Sequence, residues 1–433
     1  MEHGIAGTPP RQTGGAIAVR STEFADTSEI PVPEALIAQV LGQDEACAII
    51  QQAARQRRHV LLIGDPGTGK SMLGQAMAEL ITINNPEDIL VCPDAPEPTL
   101  PRIRRVPAGQ GVREVDASRS RAQRANQSLR FVVWIVVASL LLVSLYFTMR
   151  EASATYLLGG AILMGVTFWL RQQSLRAPAA MVPKLLVQHP KDRAPFVDAT
   201  GLHAGALLGD VRHDPYQSGG VETPPHQLVE AGAIHRAHTG VLYIDEVSLL
   251  GIEAQNHLLT AMQERGFAIT GRSPGSSGTM VRTEPVPCDF VLVLAGNAAD
   301  LEKIHPALRS RIRGYGYEIW TRSVMDDTPE HRWLLTRLVA QEVRRDGKIP
   351  HFSARGVQAV LAAASHRAGQ PDMLSCRFRE LGGLIRIAGD IAVREGAALV
   401  EACHVQIALK WSLPIEEQIA LARQGASTLT WTS

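Results

Sequence analysis

Cysteine pairs are missing from this chain. Its five cysteines (Cys47, Cys92, Cys288, Cys376 and Cys403) are scattered, with no C-x-x-C spacing. That excludes a zinc ribbon or a disulfide frame and reads as reduced thiols on a cytosolic face. Net charge is missing too: 43 Lys+Arg stand against 43 Asp+Glu, so the total argues neither for nor against a nucleic-acid partner. The N-terminus has no charged-then-apolar signal pattern; residues 1–29 are polar and rich in small residues and read as a flexible tail. No internal repeat is evident. His235, His238 and His257 stand at no metal-ligand spacing and read as ordinary polar positions.

What the chain does have is a phosphate loop. Gly64, Asp65, Pro66, Gly67, Thr68, Gly69, Lys70 and Ser71 spell G-x-x-x-x-G-K-S, and Met72 leads on into a stretch that reads as a helix to Ile81. The apolar run His59–Ile63 before it reads as a buried strand, which is the context the motif requires. Glycines let backbone N–H groups curl around an anion, and the helix N-terminus adds partial positive charge. ATP and Mg2+ are the implied ligands, with Lys70 on the β/γ-phosphates and Ser71 on the metal.

The complementary acidic strand, Gly240-Val-Leu-Tyr-Ile-Asp245-Glu246, comes about 175 positions after Lys70. Asp245 would share the Mg2+ with Ser71, and Glu246 would polarise the attacking water, because in-line phosphoryl transfer needs a positioned nucleophile and charge neutralisation. Asn297 ends the next buried strand, Cys288–Asn297, at a height to orient the same water; a plain strand-terminal Asn is the competing reading. Arg309, Arg311 and Arg313 follow Pro306 and offer a cation for a neighbour's γ-phosphate, or solvated surface arginines.

The long gap between the two motifs holds two apolar segments. Residues 131–149 carry no charge over 19 positions, and residues 154–170 give 17 more. Crossing the hydrocarbon core takes about 20 apolar residues, about 17 at the low end. Trp134, Tyr146, Tyr156, Phe168 and Trp169 cluster toward the ends, as interfacial aromatics do. Eight arginines lie between Arg102 and Arg130 against only Glu114 and Asp116, and Arg171, Arg176 and Lys184 follow the second segment. Both ends are therefore expected in the cytoplasm, with the hairpin in the cell membrane and lipid as its partner. A buried hairpin in a soluble core is the alternative, disfavoured because charge-free runs this long rarely occur there.

The expected layout is an α/β P-loop domain over residues 30–320, interrupted by a transmembrane hairpin at 127–175. A small all-α lid follows at 321–420, then a tail at 421–433. Residues 31–57 read as a helical entry and 82–117 as a loop or hairpin excursion. Val229–His238 and Glu253–Arg265 read as helices, and residues from about Asp327 onward as helices only. Thr328 and Ser353 supply start signals there, and Gly347 and Gly369 stops.

With those residues in place, the chain resembles the ATPase part of the membrane-bound, archaeal-type (B-type) Lon proteases, which are AAA+ proteins. The resemblance runs from about Pro31 to Ala420. The phosphate loop with Met72–Met77, Val229–His238, Leu258–Glu264, Val281–Phe290 and Phe378–Arg386 carry it. It implies a homo-oligomeric, hexameric ring that unfolds damaged or unfolded protein substrates and threads them through a central pore, with no nucleic acid. By position, Asn297 resembles a sensor of the γ-phosphate and Arg311 the finger acting across a subunit interface, with Arg309 the other candidate. Arg379, or else Arg377, resembles a second sensor on the lid. His203, Ala204, Leu207 and Leu208 fall where relatives carry an aromatic pore loop. A His replaces the aromatic here, so the grip is expected to rest on the two leucines.

The family's serine-lysine protease domain follows its lid, and no Gly-Asp-Ser nucleophile context occurs among these residues. The expectation is an ATP hydrolase whose peptidase is missing or lies on another chain, so casein should survive it. The runner-up is a stand-alone remodelling ATPase of the chelatase or MoxR sort. A non-catalytic scaffold on a dead nucleotide fold is opposed by Lys70, Asp245, Glu246 and Asn297.

Overall fold

The computed structural model describes residues 24–83, 85–94, 96–151, 155–174, 181–212, 223–272, 280–413 and 415–423. Most of the N-terminal and C-terminal tails, Ser153, Arg176 and most of the Gly-rich run before Gly278 lie outside them. The chain forms two compact units. One holds Glu45–Gly64 and Lys70–Thr321; the other holds residues up to Asp44, Asp65–Gly69 and the chain from Arg322.

The first unit is built on a five-stranded parallel sheet. Its order is Tyr317–Thr321, Val60–Gly64, Val291–Gly296, Val241–Ile244 and Phe196–Asp198. The three inner strands are continuous apolar runs, buried along their whole length, as strands covered on both faces must be. Gly64 ends the second strand because a Cβ there would lie 2.0 Å from Thr321 Oγ1.

Residues 82–117 hold more order than a loop excursion. Glu87–Cys92 pairs antiparallel with Arg102–Pro107 on one side and Lys184–Val187 on the other, so the chain leaves and re-enters on the same three-stranded sheet. The helix then starts at Gly111 and runs unbroken for 41 residues to Glu151. Buried Asp88 explains the early start. Its Oδ2 accepts from the N–H groups of Gly109 (2.7 Å) and Gly111 (3.0 Å), satisfying orphan donors at the helix N-terminus, and its Oδ1 accepts from His189 N (2.9 Å). One carboxylate thus ties down both ends of the insertion.

Within this helix Phe131–Arg150 is long and apolar enough to cross a membrane, with a mean hydropathy of 2.4 and none of it buried. It is the only such helix among the described residues. The second expected span falls on Thr155–Ser174, a 20-residue helix that packs back on the first, with Gly160 against Ser144.

Val229–His238 is not one helix. It forms a short strand, Val229–Glu230, and a single turn, Ala233–Arg236. His235 is sunk in the core there, with Nδ1 accepting from Gly232 N and Nε2 bonded to Phe267 O, so side-chain bonds pin the single helical turn. Ile252–Glu264 is the amphipathic helix the sequence suggests.

The second unit packs four helices, Pro329–Asp346, Ala354–Ala368, Phe378–Arg394 and Ala402–Trp411. Thr328 and Ser353 cap the first two through their hydroxyls, and Gly347 and Gly369 close them with φ near +68° and +66°. The unit is not purely helical, since Val324–Asp326 pairs with Met373–Ser375. The entry segment is broken as well. Leu36–Gln39 and Asp44–Gln56 are separate helices, divided at Gly42, whose φ is +61° and where a Cβ would lie 2.7 Å from Met325 Sδ.

Candidate nucleotide-binding site

The phosphate loop owes its shape to two glycines in the left-handed region, Gly67 (φ +82°) and Gly69 (φ +91°). No described residue lies within 4 Å of where a Gly69 Cβ would stand, so the loop is open beside it. Thr68 Oγ1 donates to Asp65 O (2.9 Å) and tightens the turn. Lys70 begins the helix Lys70–Leu80 and is buried, with Nζ donating to Gly64 O at 2.8 Å. An open glycine turn at a helix N-terminus with a lysine at its base is suited to a polyphosphate.

Asp245, Asn297 and Gly64 lie at the same edge of the sheet, because their strands are neighbours running parallel. Asp245 N is held by Thr200 Oγ1 (2.9 Å), and its Oδ1 accepts from Glu246 N (2.9 Å). Glu246 is exposed and has φ +49°, a left-handed turn that ends the strand sharply. Tyr243, two residues before Asp245, reaches across to the loop helix, its hydroxyl donating to Ser71 Oγ at 3.3 Å. The oxygens of Ser71 and Asp245 are hard donors suited to Mg2+. Asn297 is exposed and caps the turn Ala298–Lys303, its side-chain oxygen accepting from Asp300 N (3.1 Å).

The arginines after Pro306 separate into two kinds. Arg309 Nε lies 3.0 Å from Glu318 Oε1 and Arg313 Nε 3.8 Å from Oε2 of the same carboxylate. Arg311 instead stands over the Tyr315 ring, 4.5 Å from its centre, and faces a cavity of about 500 Å3 lined also by Arg57, Arg58, His59, Arg265 and Asp289. Burial, then the Arg311 charge, push His59 down to about 4, so its ring is neutral.

In the second unit, Arg377 and Arg379 both meet loop residues. Arg377 Nη2 pairs with Asp65 Oδ2 at 3.0 Å, and Arg379 N donates to Gly67 O at 3.4 Å.

The expected grip of Leu207 and Leu208 is overturned. Both are buried in the main core, at 0% and 9% exposure, because Ala204–Leu208 is a short helix whose apolar end packs inward. His203 and Ala204 are the exposed members of that segment. Thr200, Tyr243 and Thr321 were not singled out from sequence. Only Tyr243 gave a signal, as a hydroxyl inside an otherwise aliphatic strand.

Family models match three parts of the chain: "Archaeal LonB, AAA+ ATPase LID domain" over residues 351–412, "LonB-like, AAA domain" over 192–307, and "Magnesium chelatase, subunit ChlI" over 36–94. An archaeal Lon protease of Thermococcus kodakarensis is 52% identical over 416 residues, covering 95% of this chain and 64% of that protein. One from Archaeoglobus fulgidus is 53% identical over 399 residues, covering 92% and 63%. The chain therefore spans less than two thirds of the length of these relatives. A putative Lon protease homologue of Thermoplasma volcanium is 38% identical over 455 residues, and 91% of it is covered. Among solved structures, the magnesium chelatase BchI–BchD complex has a TM-score of 0.35 at 20% identity over 88% of this chain and 95% of that one, too slight a likeness to bear on function. Identity at this level over more than nine tenths of the sequence has one meaning: the chain belongs to the archaeal Lon protease (LonB) family of AAA+ proteins.

Proposed function

We propose that this chain is a membrane-anchored ATPase that couples ATP hydrolysis to the unfolding and translocation of protein substrates for ATP-dependent proteolysis. The observation that carries the reading is the junction of Ser71 and the acidic strand through Tyr243, which joins the two halves of a nucleotide site that lie far apart in sequence. Mg2+, when bound, neutralises charge on the β- and γ-phosphates. Lys70 and the N–H groups of the loop would hold those phosphates, Ser71 and Asp245 would hold the metal, and Glu246 would orient and polarise the attacking water. Asn297 steadies that water and senses the γ-phosphate. Arg311 serves a neighbouring copy in a hexameric ring, since its guanidinium has no carboxylate partner among the described residues, whereas Arg309 is engaged by Glu318. Arg379 is the lid sensor, and Arg377 holds the loop through Asp65.

The helices from Gly111 to Ser174 anchor the protein in the cell membrane against lipid, with the ATPase in the cytoplasm. The substrate path is lined by His203 and Ala204. The peptidase step belongs to residues outside these 433, because no Gly-Asp-Ser context lies within them. A chelatase-type remodelling role has the match over residues 36–94 behind it. Two Lon models, over 192–307 and 351–412, and relatives near 50% identity outweigh it.

The test is ATP turnover by the purified chain in detergent, with and without an unfolded protein. Mg2+-dependent hydrolysis stimulated by the unfolded protein is expected; no hydrolysis in any oligomeric state would sink the proposal.

A further inference from the structure

Tyr243 is 1% exposed, and its ring is held from two sides. Phe196 packs against it at a tilt, ring centres 5.7 Å apart, and Gly74 of the loop helix comes so close that a Cβ there would lie 2.7 Å from Tyr243 Cδ2. A glycine inside a helix costs about 1 kcal/mol relative to alanine, and here that cost makes room for the ring. Phenylalanine would fill the same space with no polar group to satisfy. The hydroxyl therefore needs a reason beyond packing. It reaches Ser71 Oγ at 3.3 Å, and Tyr243 stands two residues before Asp245, so the phenol lies with the two oxygen groups proposed above to hold the metal.

We infer that Tyr243 is a positioning residue for the divalent cation, its hydroxyl presetting the Ser71 hydroxyl as a ligand beside the Asp245 carboxylate. The inference rests on the nucleotide-site reading of those two residues. A serine hydroxyl has one hydrogen and two lone pairs. With one lone pair given to a cation, its hydrogen must point elsewhere, and Tyr243 Oη, which donates to Ser71 Oγ at 3.3 Å without the cation, is placed to receive it. The rotamer of the Ser71 ligand then depends on the phenol. Such supporting hydrogen bonds commonly control metal affinity by about 10–100-fold.

Tyr243→Phe removes one atom and keeps the ring. Binding of a fluorescent ATP analogue to the full chain is titrated with Mg2+, repeated with Mn2+, and measured once more in EDTA. The half-saturating Mg2+ and Mn2+ concentrations should rise about tenfold, while binding in EDTA, which uses Lys70 and the loop, stays unchanged. The melting temperature in EDTA is recorded alongside. A fall in melting temperature with the Mg2+ requirement within twofold of wild type would mean a packing role only and would overturn the inference. Ser71→Ala and Asp245→Asn separate the two levels. If both keep the wild-type Mg2+ requirement, the site reading itself fails; if both lose it and Tyr243→Phe does not, only the role of Tyr243 fails.

Discussion

Arg309 is bound to Glu318 at 3.0 Å, and Arg311, two residues further along the same helix, is not. Two residues on a helix turn the side chain by about 200°, so Arg309 and Arg313 share the face toward Glu318 while Arg311 points to Tyr315. On the proposed reading, the finger role is therefore given to Arg311. Arg311→Ala should bind ATP normally yet give mixed rings with wild-type subunits that hydrolyse at least tenfold more slowly. Arg309→Ala should cost stability instead, by less than about 1 kcal/mol, as expected of a partly exposed pair. If the Arg309 variant alone poisons mixed rings, the two roles are reversed.

Lys70→Ala and Glu246→Gln should fail at different steps. A buried lysine contributes a charge-assisted bond worth about 1.5–3 kcal/mol, so its loss should weaken ATP binding by about 10–100-fold. Glu246→Gln keeps a side chain of the same size and leaves Asp245 in place, so it should bind ATP and stall. Equilibrium binding beside steady-state turnover distinguishes the two; normal turnover in either variant would reject its assigned role.

The loop and acidic strand were legible because glycine spacing and apolar runs are local signals, and so were the helix caps at Thr328 and Ser353. Three other features were not. Val229–His238 has helical composition, but His235 bonds to Phe267, a partner 32 positions away that no local pattern reveals. Leu207 and Leu208 were placed by analogy of position, and their burial follows from a core assembled from distant strands. The helix start at Gly111 was hidden because its cap is Asp88, 23 residues upstream.

Asp88 should therefore matter far beyond its size. Asp88→Ala strands the N–H groups of Gly111 and His189 in a buried setting and that of Gly109 in a half-buried one, and each buried loss costs about 1–3 kcal/mol. The full chain should lose about 3 kcal/mol or more of unfolding free energy by denaturant titration. Hydrogen exchange should rise first at 109–113. A change below 1 kcal/mol would show that the root of the insertion is held by other bonds.

Three histidines make the first unit acid-sensitive. His59, His235 and His238 each use Nδ1 to accept a backbone N–H, from Leu292, Gly232 and Asp289, and burial pushes each down from 6.5 to about 4. The folded state holds them neutral where the unfolded chain would charge them. Their contribution is thus complete above pH 6.5 and is lost as pH falls from 6.5 toward 4, with up to about three protons taken up on unfolding. The denaturant midpoint should be level from pH 8 to 7 and fall steeply from 6.5 to 5. His235→Asn should flatten that slope by about one proton. A midpoint independent of pH between 7 and 5 would show that these rings are not held neutral.

The membrane reading makes the sharpest physical demand on the long helix. Gly111–Glu151 is continuous, and at about 1.5 Å per residue its start lies roughly 30 Å along the axis from Phe131, so on that reading the charged half is a stalk and the apolar half the span. Arg113, Arg119, Arg121 and Arg124 are exposed on the stalk, which fits a cytoplasmic position. Native Cys92 is a poor reporter of sidedness because burial pushes its thiol up, whereas Cys403 is exposed. A maleimide that cannot cross membranes should leave Cys403 unlabelled in intact cells and label it in inverted vesicles. A cysteine introduced at Ser153, between the two apolar helices, should give the opposite pattern. The protein should also stay in the pellet in alkaline carbonate and be released by detergent. If carbonate releases it, or if Cys403 and Ser153→Cys label from the same side, the helices lie on the membrane or pack elsewhere, and the anchor is misassigned.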